Sequence, residues 1–101
     1  MDYTVQTQLV NSIEAAHGHI PAKAYMLATS IAKTLTDITE NTHSVALSAD
    51  YEYMLESMAK YDIPDSLKTY MNFPKNNPKK VQELEDLLLD QLVTILERIE
   101  K

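Results

Sequence analysis

The chain contains no cysteine, no tryptophan, one glycine and one phenylalanine. The missing cysteines exclude disulfides, thiolate metal ligands and cysteine nucleophiles together, and they fit a reducing compartment. A single glycine among 101 residues leaves almost no easy source of positive-φ turns. A β-sheet protein of this size needs several such turns, so long helices with few connections are expected instead. Positive charge is also scarce, with nine Lys and Arg against fifteen Asp and Glu, for a net charge of −6. Lys75, Lys79 and Lys80 form a small cationic cluster, too small to be a phosphate-backbone surface, so direct nucleic-acid binding is not expected. No apolar run approaches the ~20 residues of a membrane span. The opening MDYTVQTQL has no basic region leading into an apolar run, so no signal peptide is expected and the chain reads as cytoplasmic. Serine elbows, glycine-rich phosphate loops, HExxH and CxxC are absent too, and with them the common signatures of catalysis.

What is present is helical periodicity. Val5, Leu9, Ile13 and Ala16 recur at spacings of four and three, with Val10 beside them, and predict a first helix over about 3–17 capped by Asp2. Gly18 lies just past its end, where a left-handed residue stops a helix well. Pro21 suits the first position of a second helix reaching about Glu40, with Ala24, Leu27, Ala28, Ile31, Leu35 and Ile38 as its stripe. Many small residues on this helix predict close packing. Residues 41–47 read as a connection, and Ser48 as the N-cap of a third helix over 49–60 with Tyr51, Leu55 and Met58 facing inward. Asp62-Ile63-Pro64 reads as a break, followed by a short helix over 64–72. Asn77 then caps, and Pro78 opens, a last helix whose stripe is Val81, Leu84, Leu88, Leu92, Ile95 and Ile99. The expected fold is an all-α, antiparallel (up-down) four-helix bundle with one extra short helix, a single domain over 1–101. At this length a chain buries ~65% of the surface its unfolded form exposes, enough for one core without metal or disulfide support.

The sharpest chemical hypothesis is a metal centre. Glu14-Ala15-Ala16-His17 and Glu40-Asn41-Thr42-His43 both match Glu-x-x-His, and Glu52, Glu56, Glu83 and Glu85 could complete a carboxylate-bundle recipe. Helix direction removes it. Both motifs end their helices, and antiparallel helices of this length hold those ends about 30 Å apart at ~1.5 Å per residue. His17-Gly18-His19 then reads as helix punctuation. No metal or other cofactor is expected.

Three surface features remain. Glu83, Asp86, Asp90 and Glu97 share a narrow strip of the last helix, opposite its leucine seam. Leu87, Leu89, Val93 and Leu96 widen that seam beyond the ~100° a surface helix needs, which implies a central helix, a homodimer or a partner surface. Tyr53 and Tyr61, with the loop from Phe73 to Pro78, form a candidate recognition surface, since tyrosine combines contact area with a polar tip. In size and helix count the chain is similar to small helical bacteriocin-immunity proteins, a likeness of fold alone. The expectation for function is a non-enzymatic protein that binds another protein, as an inhibitor, bacteriocin-immunity-like factor, antitoxin or adaptor. The candidate contact residues are Tyr53, Tyr61, Phe73, Glu83, Asp86, Asp90, Leu89, Val93 and Leu96. One alternative is an acidic nucleic-acid mimic that blocks a nucleic-acid-binding protein. Another is a bundle that binds a metal or small ligand.

Overall fold

The computed structural model describes residues 3–41 and 48–100, without the side chains of Tyr3, Thr39, Asn41 and Glu100. Five α-helices account for nearly all of it: α1 (Tyr3–Ala16), α2 (Ala22–Asn41), α3 (Ala49–Ser57), α4 (Ile63–Asn72) and α5 (Pro78–Glu100). There is no strand among the described residues. The fold is an all-α helical bundle, elongated to 49 × 23 × 18 Å. The expected cap at Asp2, the connection over 42–47 and the ligand candidate His43 lie outside the described residues.

The helix boundaries follow local chemistry. Gly18 has φ +87°, the left-handed conformation that ends α1, and the His19 amide returns to the Ala16 carbonyl at 2.9 Å. The Ser48 hydroxyl accepts from the Tyr51 amide at 3.1 Å and so caps α3. Asn77 does the same for α5, its Oδ1 accepting from the amides of Lys79 at 3.1 Å and Lys80 at 3.3 Å. At the end of α4 the Lys75 ammonium donates to the carbonyls of Tyr70 and Phe73 and lies 4.4 Å from the centre of the Tyr70 ring. The Tyr70 carbonyl also accepts from the Phe73 amide at 3.4 Å, and a cation is favourable at this carbonyl-rich end of a helix.

The stretch read as a break is continuous helix. Between α3 and α4 the chain makes one π turn, Met58–Asp62, in which the Ile63 amide donates to the Met58 carbonyl five residues back. Backbone angles stay right-handed helical at Met58, Asp62 and Ile63. Pro64 explains the wide turn. It has no N–H to donate, and in a regular α-helix its ring would collide with the carbonyl four residues earlier. One π turn displaces that carbonyl and lets the helix pass the proline. The short helix is therefore present at α4, but it extends α3 instead of standing apart from it.

Two antiparallel hairpins make the bundle. In the first, the Gln6 side chain at the start of α1 donates to the Leu35 carbonyl late in α2 at 3.2 Å. At the opposite end, His17 stacks on Tyr25. In the second, the Tyr51 hydroxyl at the start of α3 donates to the Ile99 carbonyl at the end of α5 at 2.9 Å. The hairpins join through α2 against α5, and through α1 against α4 and the π turn. Small buried residues allow these approaches: Ala24, Ala28 and Ala32 on α2, and Ala59 in the π turn. Leu9, Ile31, Leu35, Leu55, Met58, Ile63, Leu67, Leu88 and Leu92 are the largest fully buried side chains. Val5, Leu9, Ile13 and Ala16 of α1 are buried while Val10 beside them is exposed, and Leu88, Leu92, Ile95 and Ile99 of the α5 stripe are buried while Val81 and Leu84 are half-buried.

Candidate functional site

The α4/α5 hairpin carries a groove of about 450 Å³. Its apolar lining comes from Leu84, Leu87, Leu88 and Ile95 of α5, with Tyr70 of α4. Asp62 and Asp65 on one side and Asp90 on the other give it acidic edges, with Ser66, Thr69, Gln91 and Thr94 between them. No Lys, Arg or His among the described residues lines it. Lys75, which is close by in sequence, is held against the Tyr70 and Phe73 carbonyls and over the Tyr70 ring. A smaller depression formed by Phe73, Lys80, Glu83, Leu84 and Leu87 shares two leucines with the groove.

The π turn places the α4 edge. Because the helix runs through Pro64, Asp62 stays on one face with Asp65, Ser66 and Thr69, at spacings of three, one and three. The leucine stripe of α5 supplies the other wall. Leu88 and Ile95 point into the core, while Leu87, turned ~100° from Leu88, is 49% exposed.

Tyr70 is the least ordinary member. It is only 8% exposed and lines the groove, yet its hydroxyl has no hydrogen-bond partner among the described residues. No buried side-chain polar atom lacks a partner among the described residues. The hydroxyl therefore keeps access to solvent, and the groove is the opening its side chain lines. Burial raises the Tyr70 pKa above the usual tyrosine value, and the nearby negative charge of Glu85 raises it further. The phenol accordingly stays protonated and available as a donor.

The residues expected at the contact surface divide by position. Asp90 lies on the groove edge, and Phe73 and Glu83 adjoin its end. Asp86 is exposed on the same helix, where its Oδ1 accepts from the Gln82 side chain at 3.0 Å. Leu89 and Leu96 are half-buried and pack against the core, and Val93 is exposed; none of the three lines the groove. The wide apolar face of α5 thus serves two neighbours, core packing on one flank and the groove on the other. Tyr53 and Tyr61 are exposed at 74% and 61% and do not line the groove either. Asp62, Asp65 and Tyr70 were not anticipated. Their signal was the polar stripe at 62, 65, 66 and 69, hidden by reading Pro64 as a break.

A second constellation ties α1 to α2. The Tyr25 hydroxyl donates to a Glu14 carboxylate oxygen at 2.7 Å, and the His17 ring stacks on Tyr25 with centroids 4.2 Å apart and planes 15° apart. The hydrogen bond to Glu14 raises the Tyr25 pKa most, followed by desolvation and the Glu14 charge. The histidine pair around Gly18 is thus part of a helix-end clasp. No three His, Cys, Asp or Glu side chains gather as a possible metal site among the described residues. No helix of the described residues is long and apolar enough to cross a membrane.

Comparison with family models, curated proteins and solved structures yields no match to this chain.

Proposed function

We propose that this chain works without catalysis, by binding another protein in the cytoplasm, as an inhibitor, immunity factor, antitoxin or adaptor. The observation that supports this reading is the open α4/α5 groove, with leucines in its lining and acids along both edges. Apolar area supplies affinity, and a rim of one charge supplies orientation and choice of partner. The polar groups that line the groove are carboxylates, hydroxyls and an amide, with no base held against a nucleophile.

Affinity capture from the native cells, quantified by mass spectrometry, tests the reading with two baits: the unmodified chain and Leu87→Lys. A protein partner retained at stoichiometric yield by the first bait and lost by the second is the expected result. Recovery of no specific protein by the unmodified bait would refute the reading. The nucleic-acid-mimic version makes a separate demand, because Glu83→Gln, Asp86→Asn and Asp90→Asn together must then abolish capture of a nucleic-acid-binding protein.

A further inference from the structure

We infer that the α4/α5 groove receives a short amphipathic helix of a partner protein, with leucine-like side chains inward and Lys or Arg on both flanks. The inference rests on the protein-binding reading above and names the partner's chemistry.

Length is the first argument. From Leu84 to Ile95 the α5 wall spans eleven residue steps, or ~16 Å at the helical rise. That length accommodates about three turns of a helix, whose apolar anchors recur at i, i+4 and i+7. Leu87 offers the one apolar lining side chain that the protein leaves half in water, 49% exposed.

Charge is the second argument. Asp62, Asp65 and Asp90 occupy both edges, and no basic side chain among the described residues lines the groove. Of the neighbouring basic side chains, Lys75 caps α4, Lys80 approaches Glu83 at 3.9 Å, and Lys68 borders an adjoining depression that shares Asp65 and Thr69 with the groove. A cationic segment meets complementary charge on both sides, while an acidic one meets repulsion on both. A second copy of this chain carries a net charge of −6, so it is a poor occupant.

The third argument is independent of charge. The Tyr70 side chain is 8% exposed and lines the groove, and its protonated hydroxyl is a solvent-accessible donor without a hydrogen-bond partner among the described residues. An acceptor on the incoming segment satisfies it, and the last carbonyls of a helix are acceptors with no intrahelical partner. Tyr70 lies ~12 Å along the helix from Asp62, so the carboxyl end of the docked helix is placed at Tyr70.

The test uses the full chain and two synthetic peptides of about 15 residues, long enough for the three turns with frayed ends. Both carry leucines at i, i+4, i+7 and i+11. One has Lys and Arg on the flanks, and its twin has Glu at those positions. Fluorescence anisotropy measures affinity, and amide chemical shifts locate the site. The basic peptide is expected to bind at least roughly tenfold tighter than its twin, with shifts confined to α4 and α5. Asp62→Asn, Asp65→Asn and Asp90→Asn together should weaken it about tenfold. Asp37→Asn, Glu40→Gln and Glu97→Gln remove the same charge outside the groove and should leave affinity within about twofold. Tyr70→Phe should weaken binding by about three- to tenfold, the usual loss for one hydrogen bond, with the helical circular dichroism retained.

Equal binding of both peptides, an unaffected groove triple, or shifts mapping to other helices would each overturn the inference. So would a homodimer that Leu87→Lys dissociates, because the groove would then belong to a second copy. The two readings fail separately. If capture yields a specific partner that the groove triple still binds, the protein-binding reading stands and this inference falls. If the basic peptide docks as described but capture yields no partner, the groove chemistry stands and the cellular reading falls.

Discussion

Two neighbouring leucines of α5 give a sharp test of the helix phase that separates core from groove. Leu88 is 2% exposed, and Leu87 beside it is 49% exposed. Truncating Leu88 to alanine removes buried methyl groups and leaves a cavity, at a cost of about 3 kcal/mol within the range for buried leucines. Leu87→Ala removes a side chain already half in water and opens no enclosed cavity. Full burial of a leucine is worth ~1.5–3 kcal/mol, so the half-buried side chain loses about 1 kcal/mol or less. At roughly 4–8 °C per kcal/mol for a domain of this size, Leu88→Ala should lower Tm by about 12 °C or more, and Leu87→Ala by no more than about 8 °C. Urea unfolding followed by far-UV circular dichroism measures both, at low and high protein concentration. Equal costs for the two variants would refute the assigned phase. A Leu87→Ala cost that appears only at high concentration would show that a second copy covers this residue.

Two further outcomes test particular features. Gly18→Ala should cost about 1 kcal/mol in urea unfolding, the price of a left-handed conformation alone, because a Cβ at that position meets no heavy atom within 4 Å; a loss above about 3 kcal/mol would reveal a contact the structure does not have. Stability should fall as the solution is taken above about pH 10, because Tyr25 and Tyr70 both hold their protons to higher pH in the folded state than in the unfolded chain. The unfolded state then binds fewer protons, so deprotonation favours unfolding. Tyr70→Phe should flatten that decline in urea midpoint between about pH 9 and about pH 11, and an unchanged slope would contradict the assignment.

Most of the bundle was legible from local rules. Leu9, Leu35 and Leu92 are buried where periodicity puts them, because 3.6 residues per turn converts spacing into a face. Ser48 and Asn77 cap because their side-chain oxygens reach amides two or three residues on, a contact that needs no tertiary information. Gly18 terminates α1 for the same local reason. Glu14, His17 and Tyr25 show where such rules stop. Each belongs to a helix end, but the hydrogen bond and the stacked rings exist only because α1 and α2 return side by side.

The candidate site shows the same division. Sequence periodicity found a leucine face on α5 wider than one core requires, but it could not say which flank the core would use. Packing against α2 and α4 decided that, leaving Leu89 and Leu96 half-buried and Leu87 in the groove lining. Pro64 concealed the other wall, since a proline usually ends a helix and the sequence read that way splits Asp62 from Asp65. A π turn keeps them on one face, and its inward residues Met58 and Ala59 are held in the core, where α1 packs against the turn. By itself, the sequence determined helices, caps, charge and the apolar stripes, because these depend on neighbours within one turn. Tertiary packing decided which apolar surface stays open and which carboxylates border it, because both depend on residues that meet only when α4 and α5 lie side by side.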